Sequence, residues 1–486
     1  MKNKILLLVV SVCLITISAI FLTAFVSCIE GPKKEVPTDV NKGKEHKIYS
    51  ISMNKICKEW DGQWQGITVA SDGNCYFSSS THSKSHGAGF HKFDPDTYEH
   101  TMIAEDMTIV CGEASTKSQQ GKIHSPIVES DGWLYFTTHL SNYWKEGIES
   151  YTGAHVLGYE LSSGEIRDFG IVKPRYSIYS AIGVDPERKK LYVFVVPFLP
   201  ELYESDGCHL YSIDIDTGEK EDLGLVVEGR RAASFWFYVD NDGNVWFTLW
   251  KKHYEYENDH GNLYVYRPDS GSIETYVDVL PKGKLIDGAP VEDEFNLSQR
   301  SWTWLSPLPD REKCYFTMGA LGGGDERLWL FDPTKTIENG EAFQEIASIG
   351  SNYFQTAIGG DRLYFVQYAD LNDERILFSE DEREIDPSSM EYVERKLHLR
   401  SISLEEGADH NTITDHGEVV DQDGRAARMI MSMSADNKGR VYVYGSWHIN
   451  SLKEATLQYL LFEYPNGDLY RLMKRGEFFA VINTLK

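Results

Sequence analysis

Basic residues are scarce in this chain: 48 lysines and arginines stand against 74 aspartates and glutamates, a formal charge of −26. A protein that neutralises phosphates carries a basic face, so nucleic acid is excluded as the expected partner. An anionic ligand would need a local cationic pocket on an acidic body. Cysteine is sparse as well. Beyond Cys28 there remain Cys57, Cys75, Cys111, Cys208 and Cys314, an odd set with no close pairing motif, so no disulfide framework is indicated. Cys75 and Cys314 both sit in Cys-Tyr-Phe segments, the place of a buried thiol acting as a small hydrophobe. G-x-S-x-G and H-E-x-x-H do not occur. Gly322-Gly323-Gly324 lacks a following Lys-Ser or Lys-Thr and opens no helix, so it is not a phosphate loop. Stretches of helical period are almost missing too.

What is present is a chain of 486 residues, 41% hydrophobic and 13% aromatic, enough to bury a large core. Lys2 and Lys4 precede an uncharged apolar run from Ile5 to Ile29, the form of an export signal. Its end, Phe25-Val26-Ser27-Cys28, has the form of a bacterial lipobox, with Cys28 the lipidated first residue of the mature chain and Phe25 a departure from the usual aliphatic residue. The run is also long enough to remain as an uncleaved anchor, and simple secretion is the third reading. All three place the body outside the cytoplasm. Residues 1–28 are thus signal or anchor, and residues 29–47, polar and bearing Pro and Lys, are a flexible tether. Residues 48–486 form the body.

That body repeats one grammar. Cys75-Tyr76-Phe77, Leu134-Tyr135-Phe136, Leu191-Tyr192-Val193, Val245-Trp246-Phe247, Cys314-Tyr315-Phe316, Leu363-Tyr364-Phe365 and Val441-Tyr442-Val443 each follow a turn such as Asp72-Gly73 or Asp131-Gly132, and the middle residue is always aromatic. The aromatics are 49 to 78 residues apart, a blade-sized period with loops of variable length. A third strand follows in each copy, for example Phe90 to Asp94, His209 to Asp214, Leu263 to Arg267, Leu328 to Asp332 and Leu460 to Glu463. The expected fold is all-β: a seven-bladed β-propeller of four-stranded antiparallel blades, with strands from both ends of the body sharing one blade so that no edge is left open. Eight blades is the alternative, because the longest spacing could hide one. The strongly charged stretch Leu371 to Glu394 within it reads better as an inserted loop. A monomer is expected.

In a propeller the first strand of each blade lines the central channel, so the residues leading into those strands converge on one face. They are His124, then Arg175, Tyr176 and Tyr179, then Arg230 and Arg231, Arg300 with Trp302, Tyr353 with Gln355, and Arg425 with Arg428. This set is rich in Arg, Tyr and His and suits a carboxylated or sulfated ligand, with His155, Tyr353, Arg428 and Trp302 as further ligand-binding candidates. The same arginines read equally as ties between blades, bonded to neighbouring carbonyls. His82 and His86 follow the second strand of blade one, and His139 holds the matching place in blade two, flanked by His124 and His155. These imidazoles suit a divalent metal such as zinc, with His82 and His86 the candidate ligands, or an acid or base in catalysis, or simple capping of strand ends. Asp240-Asn241-Asp242-Gly243-Asn244 begins like a calcium loop but lacks the downstream glutamate and coincides with a repeat turn.

The stretch K-I-H-S-P-I-V-E-S-D-G-W-L-Y-F-T-T-H (Lys122 to His139), with G-A-H-V-L-G-Y-E (Gly153 to Glu160), resembles one blade of secreted β-propeller polysaccharide lyases, the ulvan-lyase group and, more distantly, oligogalacturonate lyases. The close similarity covers one blade, and the rest matches as propeller grammar. The resemblance implies β-elimination on a uronic-acid-containing polysaccharide. It puts His124 and His139 in the acid/base machinery, Tyr176 or Tyr179 as partner, and Arg231 or Arg300 on the carboxylate. A membrane-tethered propeller that binds glycan or protein without catalysis is the competing class.

Overall fold

The computed structural model describes residues 48–484 apart from 115–116, 144, 230–231, 233, 250–260, 283–299, 303, 319–325, 351–355, 369–396, 406, 409–411, 422–423, 448–458, 464–468 and 474–476. Cys28, the signal, the tether, Arg231, Tyr353 and the charged stretch Leu371 to Glu394 lie outside the described residues. Seven four-stranded antiparallel sheets make up the ring. Blade one runs Ile67–Val69, Cys75–Ser79, Gly89–Asp94 and Glu99–Ala104, in that order across the sheet, and blade two runs Val128–Ser130, Trp133–Thr137, His155–Glu160 and Ile166–Ile171. Blades three to six begin at Tyr176, Phe237, Trp304 and Ala357 and follow the same order. First strands of neighbouring blades touch one another at five of the seven junctions, which sets them at the centre of the ring.

All seven second-strand aromatics are buried. The physical reason for their recurrence is that each packs on the third strand of the next blade. Tyr76 meets Tyr159, Tyr192 meets Tyr266, Trp246 meets Phe331 and Tyr442 meets Phe93, at centroid separations of 5.6, 5.8, 5.2 and 6.5 Å. Tyr135 and Tyr315 share clusters with the aliphatic residues Ile213 and Ile402 instead. An aspartate in the preceding turn satisfies the polar end of several of these rings. Asp72 accepts from the Tyr76 hydroxyl at 2.8 Å, Asp436 from Tyr442 at 2.9 Å and Asp240 from Trp246 Nε1 at 2.7 Å. Asp240 also accepts the backbone N–H groups of Asp242 and Asn244. The calcium-like stretch is therefore a turn whose carboxylate is fully engaged.

Blade seven closes the ring with strands from both ends of the body. Ala427–Ala435 lies innermost, then Arg440–Trp447, then Glu477–Asn483, and finally Ile48–Ser52, paired from Ile48 with Ile482 to Ser52 with Phe478. One sequence expectation is corrected here. Leu460 to Glu463 belongs to a strand, Tyr459–Glu463, but that strand pairs with Leu469–Met473 in a separate two-stranded ribbon. The two runs are separated in sequence by Pro-Asn-Gly, turn-forming residues, and pair with each other, while Glu477–Asn483 takes the third place. In blade two the inner ladder begins at Val128, the last residue of the apolar run from Ser125.

The seam between blades seven and one holds the buried His91 and, beside it, the half-buried His100. His91 and His100 share a hydrogen bond of 3.2 Å and both stack on Phe77. Burial pushes the His100 imidazole down to about 4 and His91 well below its ordinary value. The unfolded chain therefore takes up protons below about pH 6.5 that the folded chain refuses until about pH 4, so stability is present above that window and lost as pH falls through it. For His100 alone the loss is about 3 kcal/mol. Denaturant midpoints measured from pH 7 to pH 4 are expected to fall less steeply for His100→Phe than for wild type, and equal slopes would refute the assignment.

Candidate active site

The hairpins of blades one and two continue past their ladders. Gly62 pairs with Ser80, and Lys122 with His139, as isolated antiparallel bridges. In the second, the Lys122 N–H donates to His139 O at 3.1 Å and the His139 N–H to Lys122 O at 2.8 Å. These bridges bring Trp64 against His82 and His124 against His139. The lead-in of blade one passes so close to blade two that a Cβ on Gly66 would lie 2.4 Å from Ser78 Oγ and 2.8 Å from the carbonyl oxygen of Ile123. Only glycine fits there.

Tyr179 joins from blade three because its inner strand bulges. Ile178 pairs with Val195 and Ile182 with Val193, so three residues are accommodated opposite one. The Ser180 and Ala181 N–H groups both donate to Ser234 O, at 2.7 and 3.0 Å, which holds the bulge toward blade four. The result is one cluster. His124 lies between the Trp64 ring, stacked at 5.5 Å, and the Tyr179 ring at 4.6 Å. His139 is 5.4 Å from His124 and 5.0 Å from Tyr179. His82 meets Trp64 edge-on at 5.5 Å.

The imidazoles are held by specific partners. His82 Nδ1 is 2.9 Å from the buried Asp61 carboxylate, which also accepts the His82 backbone N–H. His139 is fully buried, with Ser177 Oγ 2.5 Å from Nδ1 and the Tyr143 hydroxyl 2.8 Å from Nε2. Burial, reinforced by the Lys122 ammonium and the neighbouring imidazoles, holds His139 well below its ordinary value and so neutral. A neutral imidazole carries one donor and one acceptor, which suits a ring flanked by two hydroxyls. Lys122 is buried too: its Nζ donates to Leu140 O and Ser141 O at 2.8 and 2.7 Å and lies 4.6 Å above the Tyr143 ring. Trp64, Tyr143, Tyr179, Phe198 and Phe235 are half-buried and form an aromatic rim.

Of the sequence candidates, the structure brings together His82, His124, His139 and Tyr179. Tyr176 is turned elsewhere, its hydroxyl donating to Asp206 at 2.6 Å and its ring under Lys173. Arg300 donates to Leu280 O at 2.9 Å and is ion-paired with Asp278, packed against Gly261. It ties blade five to blade four, as Arg188 ties blade three to Asp242 and Asp269 of blade four. Trp302 is core, its Nε1 donating to Trp236 O at 3.3 Å. His86 faces Cys57 Sγ at 3.7 Å, and the thiol is the first cause raising it to about 9. His155 lies between Asp168 and Glu113. Arg428 falls on the inner strand of blade seven, with its side chain outside the described residues. The sequence reading missed Asp61, Trp64, Lys122, Tyr143 and Ser177. Trp64 could have been found, since it precedes the Asp72-Gly73 turn much as His124 precedes Asp131-Gly132.

No family model and no curated protein matches the sequence. Among solved structures the chain is similar to an oligogalacturonate lyase from Vibrio parahaemolyticus, at 11% identity and a TM-score of 0.45 over 87% of this chain and 90% of that one. It is similar to a GH74 enzyme from Niastella koreensis at 11% identity and a TM-score of 0.47, over 81% of this chain and 53% of that one. A protein of unknown function from Dyadobacter fermentans is similar at 12% identity and a TM-score of 0.42, over 64% of this chain and 91% of that one.

Proposed function

We propose that the propeller cleaves a uronic-acid-containing polysaccharide by β-elimination, with His124, His139 and Tyr179 as its acid/base machinery. The observation that carries this reading is the convergence of two imidazoles and a tyrosine, from two blades, beneath an aromatic rim. In the reaction a base takes the C5 proton of the uronate, the C5–H electron pair forms the C4=C5 double bond, and the C4–O bond breaks. The leaving glycosidic oxygen then takes a proton from an acid. In this reading Tyr179, half-buried at the rim, meets the sugar, with His124 stacked against it. His139 is wholly buried and acts through the Tyr143 hydroxyl. Charge developing on the carboxylate needs a cation. Arg300 is committed to Asp278, so this role falls to Arg231, which lies outside the described residues, with Lys122 supplying a fixed positive field beneath the cluster.

The test is ultraviolet absorbance during incubation with a panel of uronic-acid polysaccharides, because elimination creates a conjugated unsaturated uronate. A rise on a uronate polymer and none on a neutral one supports the reading. A second reading, binding without catalysis, is favoured by the rim itself, since half-buried aromatic faces stack on sugar rings whatever chemistry lies beneath. We further propose that Cys28 carries a lipid that tethers the body outside the cytoplasm. Cys28→Ser is expected to move the protein from the membrane fraction to the soluble one, and its retention in membranes would favour an uncleaved anchor.

A further inference from the structure

We propose that Cys111, His155 and Asp168 form a zinc site that clamps blade one to blade two. One ligand atom from each lies within 4.8 Å of the others. The three come from separate places in the chain. Cys111 follows the short helix Met107–Val110, which leads out of the last strand of blade one. His155 opens the third strand of blade two, and Asp168 sits on its outer strand where the ladder shifts register between Val156 and Leu157. Thiolate, imidazole and carboxylate together are a donor set that suits a borderline dication such as zinc, with water completing a tetrahedron.

The surroundings of His155 fit a ligand more closely than a simple ion pair requires. Its Nδ1 faces the Asp168 carboxylate at 2.9 Å, while its Nε2 faces Glu113 Oε1 at 3.3 Å. A carboxylate on the far nitrogen is how proteins orient a metal-bound imidazole. Glu113 is itself positioned: Gln120 Nε2 donates to it at 2.8 Å and to Gly153 O at 2.9 Å, and Gln120 Oε1 accepts from Thr138 and Tyr151. An imidazolium clasped by two carboxylates would explain Asp168 and Glu113 but has no need of the thiol. Asp168 is exposed, which leaves an approach for the ion. The described cysteines form no disulfide, so a metal clamp would do between these blades what a disulfide does in other exported proteins.

The experiment uses the full chain, stripped with chelator and titrated with Co²⁺, whose thiolate charge-transfer band reports sulfur ligation, followed by displacement with Zn²⁺. One equivalent bound with a thiolate band, bleached by zinc, is expected. Cys111→Ser should lose the band, and Asp168→Asn, at an exposed position that leaves the fold intact, should weaken binding. Glu113→Gln should keep the band while lowering affinity by about 10- to 100-fold. His82→Ala, remote from these ligands, should leave the thiolate band and the cobalt affinity unchanged. No band in the folded wild type, or a band that survives Cys111→Ser, would overturn the site.

Discussion

His139→Ala is expected to lower the elimination rate by about a hundred- to ten-thousand-fold, the usual worth of a positioned acid or base, with polysaccharide affinity little changed. The split follows from burial. His139 has no exposed surface, so its removal takes away no contact with the polymer. It does take one hydrogen-bond partner from each of the Tyr143 and Ser177 hydroxyls. Tyr179→Phe keeps the ring that stacks on His124 but removes the hydroxyl, and is expected to show the same pattern. Loss of affinity with an unchanged turnover number in either variant would make these residues binding groups rather than catalytic ones.

Phe479→Ala is expected to cost about 3–5 kcal/mol, a large part of the stability of an ordinary domain. Phe479 is fully buried on the closing strand of blade seven. Its ring stacks on Phe77 of blade one at 4.1 Å with an interplanar angle of 4°, and it also packs on Phe93 at 5.1 Å. The position matters beyond the cavity, because this seam is where the two ends of the body meet. Arg440 bridges the same seam to Asp96. Deleting Ile48–Ser52 strips the outer strand from Glu477–Asn483 and is expected to destabilise the ring further. Denaturant titration of both variants checks this. A truncated chain as stable as the intact one would mean that the ring does not depend on the N-terminal strand.

The ring was legible in the sequence because its main rule is local. An aspartate or glycine turn followed by an aromatic on the second strand recurs, and the structure shows that this aromatic makes the contact between blades. Blade seven was read less well. Tyr459–Glu463 is an apolar run ending in an acidic residue, as third strands do elsewhere in the chain, and nothing local says that Leu469–Met473 will claim it. The site divides along the same line. His124 and His139 were visible because the Lys122–His139 bridge, two residues before His124, extends a hairpin. Ser177 and Asp61 were not, since their contacts with His139 and His82 span 38 and 21 residues. Tyr176 and Tyr179 could not be told apart by alternation. The bulge after Ile178 decides between them, and it depends on Ser234 of the next blade. Arg300 stayed open between two readings, since an arginine that leads into a strand looks the same in sequence whether it meets a ligand or a carbonyl, and in the structure it donates to Leu280 O.

The most direct test is to follow ultraviolet absorbance for wild type and His139→Ala on one uronic-acid polysaccharide, with binding of both measured by calorimetry. The account requires wild type to bind and generate the unsaturated product, and His139→Ala to bind and leave the absorbance flat. If both bind and neither raises the absorbance, or if both raise it equally, the cluster is not the catalytic centre of a lyase.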